Sequence, residues 1–216
     1  MKPFKVLYPY RFHIFLFTQL LVLFGSLIIP VQEWESLFLS VFLLFNLMGG
    51  FTILSRRKKL FYTILFLIGL QIFVAFWKPL DSLFMKLRTG LFLVLYVLFF
   101  VEVLHQIIRE KKVNSEVILG MFSGYITLGF IGLFLLQLII LQYPDALYFN
   151  IDQPDTSIGT SQLMYFSFIT LLSIGYGDIA PVVPTAQKTA ILLGLSGQFY
   201  LTVVIAMIVG KYLRDK

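Results

Sequence analysis

The chain has 216 residues, of which 59% are hydrophobic and 13% are charged, and its mean hydropathy is +0.90. Soluble domains are about half apolar and about one quarter charged, so this composition excludes an ordinary soluble domain and predicts an all-α membrane protein. The net charge is +6, but the 24 phenylalanines lie in apolar runs and not among basic residues, which excludes the pattern of nucleic-acid binding. The absence of cysteine excludes disulfides and thiolate chemistry.

Apolar segments follow one another along the chain. Six of them are long enough to cross a bilayer as helices, at about residues 12–29, 37–54, 60–77, 83–108, 117–141 and 186–210. A shorter apolar segment, at about residues 161–172, lies between the fifth and sixth spans and is too short to cross as a helix. We therefore predict a re-entrant helix there, with Thr160 or Ser161 as its N-cap.

The basic residues indicate which side of the membrane each connection faces. They collect in the N-terminal segment, in two runs at residues 56–59 and 109–112, and at the C-terminal end. With six spans, the positive-inside rule then places both termini in the cytoplasm. The compact size and the lack of cytoplasmic domains favour a multi-pass protein of the plasma membrane. Two interpretations of the first run stay open, contact with anionic lipids or simple topology anchoring, and its residues are Arg56, Arg57, Lys58 and Lys59.

Residues 170–178 read Thr-Leu-Leu-Ser-Ile-Gly-Tyr-Gly-Asp and directly follow the short segment. Gly175 and Gly177 alternate with Ile174 and Tyr176, and glycine accepts a positive φ at little steric cost. Such an alternation can turn successive carbonyl oxygens to one side, where they suit a cation that has lost its water. The hydroxyl of Ser173 would add one more oxygen, so the predicted cation ligands run from Ser173 to Gly177.

This segment resembles the signature of the tetrameric K⁺-channel family, Thr-x-x-Thr-x-Gly-Tyr-Gly-Asp, with Ser173 in place of the second threonine. The resemblance implies a homotetrameric pore, a selectivity-filter loop after a pore helix, and K⁺ as the permeant ion. It also implies that Asp178 braces the filter and that Thr170 helps to hold the pore helix against it. No residue set suggests catalysis or a cofactor. A weakly selective cation channel and a non-conducting regulatory subunit of a channel complex are the alternatives.

The order of elements predicts two domains, a four-helix transmembrane domain at residues 1–116 and a pore domain at residues 117–216. Six spans with a pore after the fifth resemble the voltage-gated members of the superfamily. The fourth span departs from them, because its basic residues are Lys86 and Arg88, which are two apart and do not share a helix face. We therefore predict no typical voltage sensor and favour interfacial anchoring for both side chains.

The last span carries candidates for the gate. Gly197 stands twenty residues after Gly177, where channels of this family often have a hinge glycine. Two interpretations remain for Gly197 and Gly194, a hinge in the helix or close packing against a neighbouring helix. Three apolar residues follow that could line a hydrophobic constriction, namely Val203, Val204 and Met207.

Several polar residues inside the spans need partners. Glu102 and His105 share a helix face, and they form either a pH-sensitive pair or, the interpretation we favour, an interfacial pair that reaches headgroups or water. For the other polar residues within the spans the sequence predicts hydrogen bonds to neighbouring helices, namely for Gln19, Asn46, Gln71, Gln137 and Gln198.

Overall fold

The computed structural model of the protein describes residues 7–28, 35–54, 62, 65–70, 82–110, 113–149 and 159–214. A 3-10 turn, Tyr8–Tyr10, leads into the first helix. The α-helices are α1 (Arg11–Ile28), α2 (Glu35–Leu54), α3 (Ser82–Arg109), α4 (Ser115–Gln142), α5 (Thr160–Leu171) and α6 (Pro184–Arg214). Two short strands, β1 (Leu147–Phe149) and β2 (Ile179–Pro181), precede and follow α5 and pair with each other antiparallel. Residues 65–70 are also helical.

The described part of the chain is mostly helical and has the composition of a multi-pass membrane protein. Four of its helices are long and apolar enough to cross a membrane, at Tyr8–Leu27, Ser82–Arg109, Ser115–Gln142 and Pro184–Lys211. In α2 the corresponding apolar part is shorter, Val41–Leu54. The predicted third span lies largely outside the described residues, as does the basic run at residues 56–59, so the six-span count stays a prediction.

The chain divides into two compact units, each built from segments that are separate in the sequence. The first unit comprises Met1–Leu70, Leu98–Ile126 and Ile208–Lys216, and the second comprises Gln71–Val97 and Thr127–Met207. Helices α3, α4 and α6 contribute residues to both units.

In the first unit, α1 packs against α2, and small residues make the close approach possible. A Cβ on Gly49 of α2 would meet Thr18 Oγ1 of α1. Helix α3 joins this packing through Phe99, whose ring packs edge-on against Phe15 of α1 with centroids 5.6 Å apart. The predicted hydrogen bonds between helices are confirmed for two residues of this unit. Gln19 Nε2 donates to the carbonyl of Ser123 at 3.1 Å, and Asn46 Nδ2 donates to Thr18 Oγ1 at 3.0 Å.

A buried arginine stands at the start of α1. Arg11 is 5% exposed; its Nε donates to Gln106 Oε1 at 2.7 Å, and its Nη1 donates to the carbonyl of Tyr8 at 3.1 Å. The carboxylates of Glu110 and Glu116 lie 3.7 Å and 3.9 Å from the guanidinium. A buried charge needs such anionic partners and hydrogen bonds, because burial removes its hydration.

In the second unit, aromatic rings form the core beside α5. The rings of Phe92 and Phe134 stack with centroids 5.0 Å apart, and Tyr96 packs edge-on against Phe130 at 5.3 Å. The ring of Phe130 also packs edge-on against Phe168 of α5 at 5.7 Å. Because these residues lie on α3, α4 and α5, the cluster fixes the position of the short helix within this unit.

Candidate functional site

The short helix α5 ends in an irregular segment, residues 172–178, which we call the glycine loop. The helix spans Thr160–Leu171, close to the predicted position. Its N-cap is Gly159, whose N–H donates to Gln162 Oε1 at 2.9 Å, so the assignment of the N-cap to Thr160 or Ser161 was wrong. Glycine is an acceptable N-cap, and the glutamine three residues later supplies half of a capping box.

The glycine loop folds back against the end of α5. The carbonyl oxygen of Ile169 accepts the N–H groups of Ile174 at 2.9 Å and of Gly175 at 3.4 Å. The N–H of Ser173 donates to the carbonyl of Thr170 at 3.0 Å. These bonds satisfy two of the carbonyls that a helix leaves unpaired at its C-terminus, and they fix where the loop begins.

Within this loop, every second residue from Ser173 onward has a left-handed backbone. The φ angles are +57° at Ser173, +57° at Gly175 and +80° at Gly177, and among the described residues Ser173 is the only non-glycine residue with a positive φ. A Cβ on either glycine would meet nothing within 4 Å. Conformation, and not space, therefore requires glycine at these two positions.

The loop is uncovered in the single chain. Tyr176 is 72% exposed, Ile174 is 48% exposed, and the residues between and beside them are also exposed. Large side chains and glycines without side chains therefore alternate in an exposed segment of the single chain.

Asp178 closes the loop by a hydrogen bond to α5. The hydroxyl of Tyr165 donates to Asp178 Oδ2 at 2.7 Å. This hydrogen bond, together with smaller contributions from desolvation and from the charge of Asp178, raises the pKa of Tyr165 from 10.0 to about 12. The hydroxyl therefore stays protonated and continues to donate throughout the physiological pH range.

Helix α5 packs closely on α4 through small residues that were not predicted as part of the site. Ser167 Oγ donates to the carbonyl of Gly129 at 2.7 Å. A Cβ on Gly129 would meet the ring of Phe168, and one on Gly132 would meet Ser167 Oγ. The signal was present as two glycines three residues apart in an apolar helix, since small residues in membrane helices let backbones approach closely.

The last helix touches both α5 and the glycine loop. A Cβ on Gly197 would collide with the carbonyl oxygen of Leu171, whereas one on Gly194 would lie an ordinary 3.9 Å from the carbonyl oxygen of Thr170. Close packing is thus what the structure shows for Gly197. Gln198 Nε2 donates to Ser173 Oγ at 2.9 Å, so its partner is the loop and not a neighbouring helix as the sequence predicted.

The other candidates lie apart from this loop. Val203 is 52% exposed, Val204 is buried at 3% and Met207 is half-buried, so only Val203 has a largely uncovered side chain among these three. Glu102 is 6% exposed and accepts a hydrogen bond from Gln106 Nε2 at 3.0 Å. The favoured interpretation of Glu102 as a group that reaches headgroups or water was therefore wrong.

Comparison with known proteins gives one match. Residues 120–214 match the model of a protein family described as "Ion channel", and this segment covers most of α4 and all of α5, the glycine loop and α6. No curated protein and no solved structure matches the chain. The match indicates an ion channel, and it covers less than half of the chain.

Proposed function

We propose that the chain is a K⁺-selective channel of the plasma membrane that conducts K⁺ passively as a homotetramer. In this proposal six helices span the bilayer, both termini are cytoplasmic, and α5 with the glycine loop forms a re-entrant pore helix and selectivity filter. Residues 117–216 would form the pore domain and residues 1–116 the four-helix domain before it. The channel needs no cofactor and carries out no enzymatic reaction.

The observation that carries the proposal is that residues with a positive φ alternate with residues without one in the glycine loop. Positive φ angles at Ser173, Gly175 and Gly177 alternate with ordinary angles at Ile174 and Tyr176. Stacked rings of backbone carbonyls are the device by which K⁺ channels replace the hydration shell of the ion. The family match over residues 120–214 supports the assignment of this segment to an ion channel.

Exposure of the loop supports assembly from several copies. Irregular backbone at membrane depth is tolerated only where protein or a water-filled cavity surrounds it. Tyr176 and Ile174 are 72% and 48% exposed in the single chain, so further copies would have to cover them. A symmetric ring of chains around one axis satisfies this requirement, and four copies would give closed rings of carbonyl oxygens.

In the proposed mechanism K⁺ exchanges its hydration oxygens for the carbonyls of Ser173, Ile174, Gly175, Tyr176 and Gly177, and for the Ser173 hydroxyl. The C-terminal end of α5 carries the negative end of the helix dipole, which favours a cation nearby.

Two further residues would support this filter from the side of α5. Asp178 would brace it through the hydrogen bond from Tyr165, and Thr170 through its carbonyl contact with Ser173.

A pair of glycine substitutions tests the filter assignment. A Cβ added to Gly177 or to Gly90 would meet open space, but only Gly177 has a positive φ, of +80°. An L-residue in the left-handed region costs about 1–2 kcal/mol, and four copies would share the same ring. We expect Gly177→Ala to abolish K⁺ flux into liposomes and to leave tetramers intact, while Gly90→Ala conducts normally. Flux like that of the unmodified protein in Gly177→Ala would refute the assignment.

Selectivity and conduction are tested in the same preparation. Reversal potentials in mixed K⁺ and Na⁺ should follow the K⁺ gradient, and equal permeability to both ions would favour a weakly selective cation channel. Purified protein that passes no K⁺ under voltage, pH and tension would favour a regulatory subunit without its own conduction.

A further inference from the structure

The innermost residue of the proposed filter combines an unusual backbone conformation with a side chain that is not branched at Cβ. Ser173 has a φ of +57°, a region in which a β-branched residue is a genuine outlier. Serine is less hindered there, but it lacks the second heavy atom on Cβ that makes threonine stiff at χ1. The hydroxyl of Ser173 therefore needs a partner outside its own residue if it is to keep one direction.

Gln198 supplies this partner. Its Nε2 donates to Ser173 Oγ at 2.9 Å, although the two residues are 25 apart in the sequence. The preceding residue, Gly197, has no side chain, and this allows α6 to approach the carbonyl oxygen of Leu171 at the end of α5. The close approach brings the glutamine amide within reach of the first residue after the helix cap at Leu172.

We propose that Gln198 is a positioning residue that fixes the Ser173 hydroxyl toward the ion path and thereby sets the affinity of the innermost cation site. This inference rests on the proposed K⁺-channel function. The accepted hydrogen bond occupies one lone pair of Ser173 Oγ and restricts its rotation, while a second lone pair remains for a cation. The hydrogen bond from the Gln198 amide thus restricts rotation about χ1 of Ser173, as β-branching does in threonine.

The probe is Ba²⁺, a divalent cation close to K⁺ in radius, added to tetramers in liposomes while K⁺ flux is recorded. Gln198→Met removes the donor and keeps the length of the side chain without a charge. Loss of one neutral hydrogen bond corresponds to about a twofold to tenfold change in an equilibrium constant. We therefore expect Ba²⁺ to inhibit this variant about twofold to tenfold more weakly than it inhibits the unmodified protein.

Two further variants separate the hydrogen bond from general polarity. Gln198→Asn keeps the amide but is one methylene too short to reach Ser173, so it should weaken inhibition as much as Gln198→Met. Thr202→Val is the matched control, because Thr202 is an exposed polar residue one helical turn further along α6. Ba²⁺ should inhibit this control as strongly as it inhibits the unmodified protein. Asparagine behaving like glutamine would overturn the proposal.

A double substitution tests whether Gln198 acts through the hydroxyl. Ser173→Ala should weaken Ba²⁺ inhibition, and adding Gln198→Met to it should change nothing more. An equal further loss would mean that Gln198 acts on the ion directly and would refute the positioning role.

Different results would refute the role of Gln198 and the proposed function. Unchanged inhibition in Gln198→Met, in a protein whose flux is abolished by Gly177→Ala, would defeat this inference alone. Flux that persists in Gly177→Ala would defeat the proposed filter itself.

Discussion

The contact between Gly197 and the end of α5 leads to a quantitative prediction. A Cβ at this position would collide with the carbonyl oxygen of Leu171 and lie 3.1 Å from both its carbonyl carbon and its Cδ1. The obstacle is partly backbone, so it cannot rotate away as a flexible side chain could. Overpacking of this kind costs about 1–3 kcal/mol, because neighbouring elements must shift.

Gly194 is the matched control on the same helix. A Cβ there would lie 3.9 Å from the carbonyl oxygen of Thr170, which is an ordinary van der Waals contact. Both substitutions gain the same helix propensity on replacing glycine by alanine, about 0.5–1 kcal/mol. The difference between the free energies of unfolding of the two variants therefore isolates the overpacking cost. Gly197→Ala should be less stable than Gly194→Ala by about 1–3 kcal/mol.

Thermal unfolding of the purified protein in detergent measures this difference. For a chain of this length, 1 kcal/mol shifts the midpoint by about 2–4 °C. We expect Gly194→Ala to unfold at or slightly above the temperature of the unmodified protein and Gly197→Ala to unfold below Gly194→Ala. Equal midpoints for the two variants would refute the packing argument. Equal midpoints with altered opening in Gly197→Ala alone would instead support the hinge interpretation.

Three further predictions concern other polar contacts. Tyr165→Phe removes the donor to Asp178 Oδ2 and should lower K⁺ over Na⁺ selectivity in reversal-potential measurements, whereas the exposed Tyr148→Phe should leave it unchanged. Arg11→Met leaves Gln106, Glu110 and Glu116 without their cation and should lower the free energy of unfolding by about 2–3 kcal/mol in denaturant titrations, while Arg88→Met, at an exposed site, should change it by less than about 0.5 kcal/mol. Lys211→Met removes donations to the carbonyls of Ile107, Ile108 and Glu110, so hydrogen exchange at the end of α3 should become faster, and unchanged exchange there would contradict the contact.

The helices could be predicted well where a long apolar run has clear boundaries. Helices α1, α3 and α4 begin and end within about two residues of the predicted limits, because charged and polar residues bound each run. Helix α6 continues to Arg214, four residues beyond the predicted end, since nothing in Lys211 to Leu213 interrupts a helix. The glycine loop was predictable because its constraint is local, a backbone that requires glycine at alternate positions.

Partners that depend on the path of the chain could not be predicted in the same way. Tyr165 meets Asp178 thirteen residues later only because the loop folds back along α5. Arg11 belongs to the basic N-terminal segment, but its burial could not be predicted, because it depends on Gln106 near the end of α3 and Glu116 at the start of α4. No periodicity in a single sequence indicates which distant side chain will neutralise a buried charge.

The contacts of α6 bear on where this helix can move. Near its middle, Gly197 packs on the carbonyl oxygen of Leu171 and Gln198 binds Ser173. At its C-terminal end, the ammonium group of Lys211 donates to three carbonyl oxygens at 2.7–3.0 Å. A bend at Gly197 would have to break the first set of contacts, so a hinge at this position requires the release of the packing on Leu171 and of the hydrogen bond to Ser173.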